Sequence, residues 1–324
     1  MESKAGFLKP EINWGLEIIN HDGMDFFKSK NIKTLNNIKD IYEIKYSSLR
    51  KMLDPWVGII GMQKVTNETL SNYLFFIKSI DKLGILDTYV DKKNKLNSNG
   101  LKLLNTDLGT LIDLNLITSF QKNKKKLSII EVGGGYGRLA EGFFSVFGSE
   151  NIKYLLLDSV PASLLYCYKY LRNNFPKLKI GFYYNDDVFD MDNFDCYIMP
   201  SWHYIAKQSE KFDVCVNIQS MQEMNQSHVN YYLDLFNRVV RLDGIVYLSN
   251  EKDYIFNGKW NYPKSWNKYL YLRTPRSWTR NSPTEIFSKK FNKELYALAI
   301  DIAYKNQLSE YDKSILFNQE IQGI

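Results

Sequence analysis

The stretch that most constrains this chain is Ile129-Ile130-Glu131-Val132-Gly133-Gly134-Gly135-Tyr136-Gly137-Arg138. An apolar run enters a glycine-dense turn, and Leu139, Ala140, Phe143, Phe144 and Phe147 leave it at helical spacing. Gly133, Gly135 and Gly137 hold alternate positions, where glycine lets the backbone take positive φ and come close to a ligand. The helix start beyond them presents N–H groups with no partner inside the helix. Further on, a second apolar run, Tyr154-Leu155-Leu156-Leu157, ends in Asp158. An acidic residue at the tip of the second strand is placed to accept from the hydroxyls of a nucleoside ribose.

Two classes of nucleoside cofactor use this geometry, and Glu131 separates them. A carboxylate two positions before the first glycine would repel a pyrophosphate, but it can bind the cationic side of S-adenosylmethionine (SAM). A dinucleotide-binding turn has an apolar strand at that point, so a dinucleotide dehydrogenase is the second reading. The cofactor-binding residues expected on the first reading are Glu131, Gly133, Gly134, Gly135, Tyr136, Gly137, Asp158 and Ser159. Ser201, Trp202 and Asn217 are expected to join them from later strand ends.

From Leu127 onward, strand and helix patterns alternate. A helix runs from Pro161 through Leu164, Leu165, Tyr168 and Leu171, and strands are predicted at 179–184, 196–199 and Phe212–Ile218. A helix is predicted over 230–240, then a turn at Arg241-Leu242-Asp243-Gly244 and a strand at 245–248. This succession predicts an α/β fold, Rossmann-like, with an open, mainly parallel sheet and flanking helices. Ligands of such sheets bind beyond the carboxyl ends of the strands, where Glu131, Asp158, Ser201 and Glu223 would lie. Before residue 126 the patterns are helical. They comprise Ile41, Ile44 and Leu49; then Leu70, Tyr73, Leu74, Ile77 and Ile80; then Leu101, Leu103, Leu104, Leu108, Leu111, Ile112 and Leu114. Residues 1–125 therefore read as a helical region suited to a lid or to homo-oligomer contacts, and 126–324 as the catalytic domain. Trp14 and Trp56 read as packing residues, and Lys122-Asn123-Lys124-Lys125-Lys126 as a solvated linker.

The net charge of +6 allows an anionic partner without requiring one. Cys167, Cys196 and Cys215 are odd in number and form no C-x-x-C pair, which suits reduced thiols, with Cys215 buried in a strand. Met1-Glu2-Ser3-Lys4 leads into no apolar stretch of a secretory signal, and no apolar run approaches the roughly 18 residues of a membrane span. A cytoplasmic protein without a membrane span is expected.

In their order and spacing, residues 131–137, Asp158, Phe212-Asp213 and Leu242-Asp243-Gly244 resemble the successive motifs of class I SAM-dependent methyltransferases. More narrowly, 131–141, 155–161 and Ser220-Met221-Gln222-Glu223-Met224 resemble the sugar O-methyltransferase family of bacterial surface-polysaccharide gene clusters. Met221 stands where that family has Phe. The resemblance covers roughly residues 125–280. It implies methylation of a sugar hydroxyl during lipopolysaccharide, capsule or O-antigen synthesis, on an acceptor sugar carried by a nucleotide, a lipid or a glycan. Asn217-Ile218-Gln219-Ser220 departs from the Asp-Pro-Pro-Tyr-like sequence of DNA base methyltransferases, and no nucleic-acid partner is expected. Other readings are a nucleic-acid or small-molecule methyltransferase and a SAM-binding scaffold without activity.

A protonated sugar hydroxyl is a poor nucleophile, so methyl transfer calls for a positioned base or a metal ion. Glu223, after the strand Phe212–Ile218, is the first candidate base, weighed against a role in capping the next helix or pairing with a lysine. His228 is the second candidate. His203 is placed for packing or the adenine edge, and His21 for a turn. Glu223, Asp243 and Glu251 show no diagnostic ligand spacing, so the metal stays unknown. Residues 252–293 interleave Trp260, Tyr262, Trp266, Tyr269, Tyr271 and Trp278 with Lys259, Lys264, Lys268, Arg273, Arg276 and Arg280. That composition suits sugar faces and phosphates, single-stranded nucleic acid, or a lid packed on the sheet.

Overall fold

The structure, a computed structural model, describes residues 67–96, 105–159, 161–183, 190–201, 211–250, 260–273 and 283–305. The readings placed on Trp14, His21, Trp56, Trp202, His203, Glu251, Lys259, Arg276, Trp278 and Arg280 lie outside the described residues. In chain order come α1 (Asn67–Ile80), α2 (Ile85–Leu96), α3 (Asn105–Phe120), β1 (Leu127–Val132), α4 (Arg138–Phe147), β2 (Ile152–Asp158) and α5 (Pro161–Asn174). They are followed by β3 (Ile180–Phe182), β4 (Cys196–Pro200), β5 (Phe212–Ile218), α6 (Gln226–Val239), β6 (Val240–Ser249), β7 (Asn267–Arg273), β8 (Pro283–Ser288) and α7 (Lys293–Lys305). The fold is α/β with mostly parallel strands, as the alternation predicts. Among the described residues no helix is long and apolar enough to cross a membrane.

The described residues divide into two compact units, one within Ser128–Glu210 and the other within Lys64–Leu127 and Lys211–Ile324. In the first, the strand order is β3-β4-β2-β1, and β4 pairs in parallel with both β2 and β3. Parallel strands covered on both faces read as continuous apolar runs, which is why Leu155, Leu156 and Leu157 are all fully buried. The helix α4 lays Phe143 and Phe144 against the Tyr154 ring, with centroids 6.2 and 6.3 Å away.

In the second unit the order is β5-β6-β8-β7, with β5 and β6 parallel and β8 antiparallel to both β6 and β7. The strands β7 and β8 fall inside the aromatic and basic segment, where no strand was expected. Two boundaries also differ from expectation. The helix α6 begins at Gln226 rather than residue 230, because the Asn225 side chain accepts the His228 N–H at 2.9 Å and caps the helix. The expected turn at Arg241–Gly244 is extended and belongs to β6: the pairing shifts from Phe212 opposite Val240 to Val214 opposite Ile245, a bulge. A Cβ on Gly244 would stand 2.8 Å from the Asp213 carbonyl oxygen, so this bulge closes on β5 only without a side chain there.

The helix α3 is buried on all sides, polar residues included. Thr110 and Thr118 donate to carbonyls one turn back at 2.8 and 2.7 Å, as does the Asn115 amide at 2.9 Å. Asp113, fully buried, accepts the Tyr247 hydroxyl of β6 at 2.5 Å. An intramolecular hydrogen bond contributes about 0.5–1.5 kcal/mol net. Tyr247→Phe is therefore expected to lower the unfolding free energy by about that amount. The check is the midpoint of urea unfolding, which should fall with the slope unchanged.

Candidate functional site

The glycine turn is held by the end of β2. Gly133, Gly135 and Gly137 have φ of 72°, 55° and 84°, the left-handed region that side chains rarely enter. Gly133 and Gly134 donate their N–H groups to the Leu157 carbonyl at 2.8 and 3.3 Å, and Gly137 donates to the Gly134 carbonyl at 2.9 Å. The Gly135 N–H donates to Asp158 Oδ2 at 2.9 Å. Asp158, expected only to meet a ribose, therefore also anchors the turn. Among the described residues nothing lies within 4 Å of where a Gly135 Cβ would sit, so the outer side of the turn is open with respect to them. Gly137 is the residue before α4, with no side chain capping the helix start.

Beneath the turn, Glu131 is only 4% exposed and accepts the Tyr154 hydroxyl at 2.7 Å. A Cβ on Gly134 would stand 2.5 Å from Leu156 Cγ and 3.0 Å from Glu131 Oε2, so this glycine leaves the space the carboxylate uses. Tyr136, half-buried, meets Tyr166 and Tyr170 of α5 edge-on at 6.2 and 5.7 Å. At the end of β4, the Ser201 N–H donates to the Asp158 carbonyl at 3.0 Å. The Ser201 hydroxyl is buried and has no hydrogen-bond partner among the described residues. A buried hydroxyl of that kind calls for a water or a ligand atom. The first unit thus brings together Glu131, Gly133, Gly134, Gly135, Tyr136, Gly137, Asp158, the half-buried Ser159 and Ser201, while Trp202 lies outside the described residues. An open turn, two buried carboxylates and an unpartnered hydroxyl fit the nucleoside and cationic parts of SAM.

The second unit holds Asn217, Glu223 and His228. Asn217, fully buried, accepts the Met221 N–H at 3.0 Å through Oδ1, and its carbonyl accepts from the Asn250 amide at 3.3 Å. Asn250 Oδ1 accepts the Ser220 N–H at 3.1 Å, and Gln219 donates its N–H to the Ser249 carbonyl at 2.9 Å. These bonds hold Gln219 at φ 58°, a strained value for a residue with a side chain, costing on the order of 1–3 kcal/mol. The loop after β5 is thus fixed at the carboxyl end of that strand. Glu223 is exposed on the single helical turn Met221–Glu223, and His228 is half-buried in the first turn of α6. Asn225, not Glu223, caps that helix.

Among the described residues no three His, Cys, Asp or Glu side chains gather as a metal site. Lys124 pairs with Asp213 at 2.5 Å and with Asp243 at 3.0 Å, so this part of the lysine run is a buttress rather than a solvated linker. Its hydrogen bond holds the Asp243 carboxyl below the usual range, against the opposing pull of partial burial. Of the described aromatic and basic residues, Tyr262, Trp266, Lys268 and Tyr269 are held by side-chain hydrogen bonds, while Lys264 is exposed. Glu285, 1% exposed, accepts from Tyr262 at 2.6 Å and from Lys268 at 2.7 Å, while the Trp266 indole donates to Asn237 at 3.0 Å. Tyr154 and Asn250 are the residues that sequence reasoning missed. Asn250 carried a signal, a polar residue directly after an apolar strand; Tyr154 carried none.

No family model matches this chain, and no curated protein does. Solved structures do match in part. A TehB-like SAM-dependent methyltransferase from Corynebacterium glutamicum is 12% identical over 63% of this chain and 97% of its own, with a TM-score of 0.37. The protein PKMT2 from Rickettsia typhi, in complex with AdoHcy, is 16% identical over 41% of this chain and 24% of its own, TM-score 0.31. A phosphoethanolamine N-methyltransferase from Haemonchus contortus, bound to S-adenosylhomocysteine, is 15% identical over 54% of this chain and 36% of its own, TM-score 0.34. Likeness at this level carries no functional assignment, which rests on this chain's own residues.

Cys167, Cys196 and Cys215 are free and buried, and burial is the main cause that pushes all three thiols far above their ordinary range. Because only the thiolate reacts, the folded protein is expected to resist iodoacetamide at pH 8. Mass spectrometry should show alkylation of all three after denaturation and of none before it.

Proposed function

We propose that this chain is a class I SAM-dependent methyltransferase. The observation that carries the reading is Glu131, a buried carboxylate under an open glycine turn that is tied to the acidic tip of β2. Bound there, SAM would supply an activated methyl group, with Glu131 holding its cationic side, Asp158 accepting from the ribose, and the Ser201 hydroxyl available to the base. A pyrophosphate on the same turn would meet the Glu131 carboxylate, which disfavours a dinucleotide.

The acceptor is proposed to be a sugar hydroxyl in bacterial surface glycan synthesis. Support comes from the resemblance of residues 131–141, 155–161 and 220–224 to the sugar O-methyltransferase family. Glu223 takes the proton that the hydroxyl loses, with His228 as the alternative base, and no metal is assigned. The reaction is assigned to the cytoplasm, with the chain before α3 serving as a lid or an oligomer contact.

Titration calorimetry with SAM and with NAD decides the cofactor: SAM is expected to bind at one site per chain, and binding of NAD in its place would overturn the reading. Asp158→Ala is expected to weaken SAM by tenfold or more, because a charged acceptor and the anchor of Gly135 go together. With a glycan acceptor in hand, Glu223→Gln should bind SAM normally and turn over about 10²–10⁴-fold more slowly. If Glu223→Gln keeps the parental rate while His228→Ala is dead, the base is His228. Intact SAM binding without turnover across nucleotide-linked, lipid-linked and polymeric glycans would instead favour a scaffold.

A further inference from the structure

Glu131 is the one residue on which the cofactor reading turns, and it sits where a carboxylate does not stay ionised without help. It is 4% exposed, and an unsupported carboxylate so placed takes up a proton. The Tyr154 hydroxyl, 2.7 Å from Glu131 Oε2, is a donor built into the neighbouring strand. Tyr154 is itself fully buried, its ring fixed between β2 and the Phe143 and Phe144 rings of α4. The hydroxyl is thus placed by packing rather than by a flexible stem. The same Oε2 lies 3.0 Å from the position of an absent Gly134 Cβ, so carboxylate and turn share one space.

We propose that Tyr154 is a positioning residue: its hydroxyl fixes the rotamer and the negative charge of Glu131, through which the chain binds the cationic side of SAM. This rests on the functional reading above. Titratable groups coupled to this pair include Arg138 of α4, whose charge draws the Tyr154 phenol down, Cys196 of β4 and Cys167 of α5. Both thiols are pushed up by burial and stay protonated, so they add no charge. Burial, and then the charge of Glu131, push the Tyr154 phenol well above its ordinary value, so it remains a donor across the neutral range. A hydrogen bond donated to a carboxylate favours its ionised form, so SAM affinity that depends on the Glu131 charge is lost on the acid side. Removing the donor moves the loss to higher pH.

The test is SAM calorimetry on the full chain from pH 5 to pH 8, with the wild type, Tyr154→Phe, Glu131→Gln and the double variant, each first shown folded by circular dichroism. Tyr154→Phe is expected to weaken SAM about tenfold at neutral pH and to shift the acid-side loss of affinity upward. In the Glu131→Gln background the same change should alter affinity less than twofold, because a residue that acts through Glu131 has nothing left to act on. Wild-type affinity and pH profile in Tyr154→Phe would overturn the proposal while leaving the cofactor assignment intact. An equal loss in both backgrounds would also overturn it, by showing that Tyr154 only packs. Failure of the wild type to bind SAM at any pH would overturn the functional reading and this inference with it. If Tyr154→Phe does not fold, infrared spectra of the wild type decide: the carboxyl band that disappears in Glu131→Gln should be that of an ionised carboxylate at neutral pH, and a protonated band would count against the proposal.

Discussion

The rest of the first unit depends on the grip that the end of β2 has on the glycine turn. Leu157 gives its carbonyl to two successive N–H groups, and Asp158 gives a carboxylate oxygen to a third. Those bonds can form only because Gly133 and Gly135 sit at positive φ, where a side chain would cost about 1–2 kcal/mol per residue. The turn is therefore formed before any ligand arrives. Less ordering remains to be done on binding, which is how preorganisation gains affinity. Asp158 ties one end of this arrangement to Ser201, because its own carbonyl accepts the Ser201 N–H.

The second unit uses a different means to the same end. Its strand β5 is fully buried, and the loop beyond it is fixed by side-chain amides rather than by glycines. Asn217 and Asn250 together satisfy the backbone N–H groups of Met221 and Ser220 and bond to each other. That leaves Gln219 strained and Glu223 displayed on a short turn. Behind it, Tyr247 and Asp113 join β6 to α3, so the helix before the first strand is part of this core.

What the sequence showed clearly was local and periodic. The span of β5 came out residue for residue, and the three positive-φ glycines stand where alternate spacing placed them. The strand at 179–184 shrank to Ile180–Phe182. The missed features depend on contacts that local patterns do not encode. The strands β7 and β8 pair directly with each other, and β8 pairs with β6 across a long separation in sequence, so no local pattern announced them as strands. Two residues of the aromatic and basic segment, Tyr262 and Lys268, donate to Glu285, a buried carboxyl that sequence periodicity gives no reason to expect. The Tyr154 contact with Glu131 likewise joins two strands that each look merely apolar. The early start of α6 was readable, since Asn225 is a favoured capping residue.

The central claim is that the turn around Gly135 is where the cofactor sits. It is tested most directly by labelling the 18 glycines with ¹⁵N and recording their amide resonances as S-adenosylhomocysteine is added. The signals of Gly133, Gly134, Gly135 and Gly137 should move together and saturate, while those of Gly84, Gly148 and Gly244 stay in place. Saturating ligand that leaves the four turn glycines unmoved, or NAD that moves them in its place, would contradict the account.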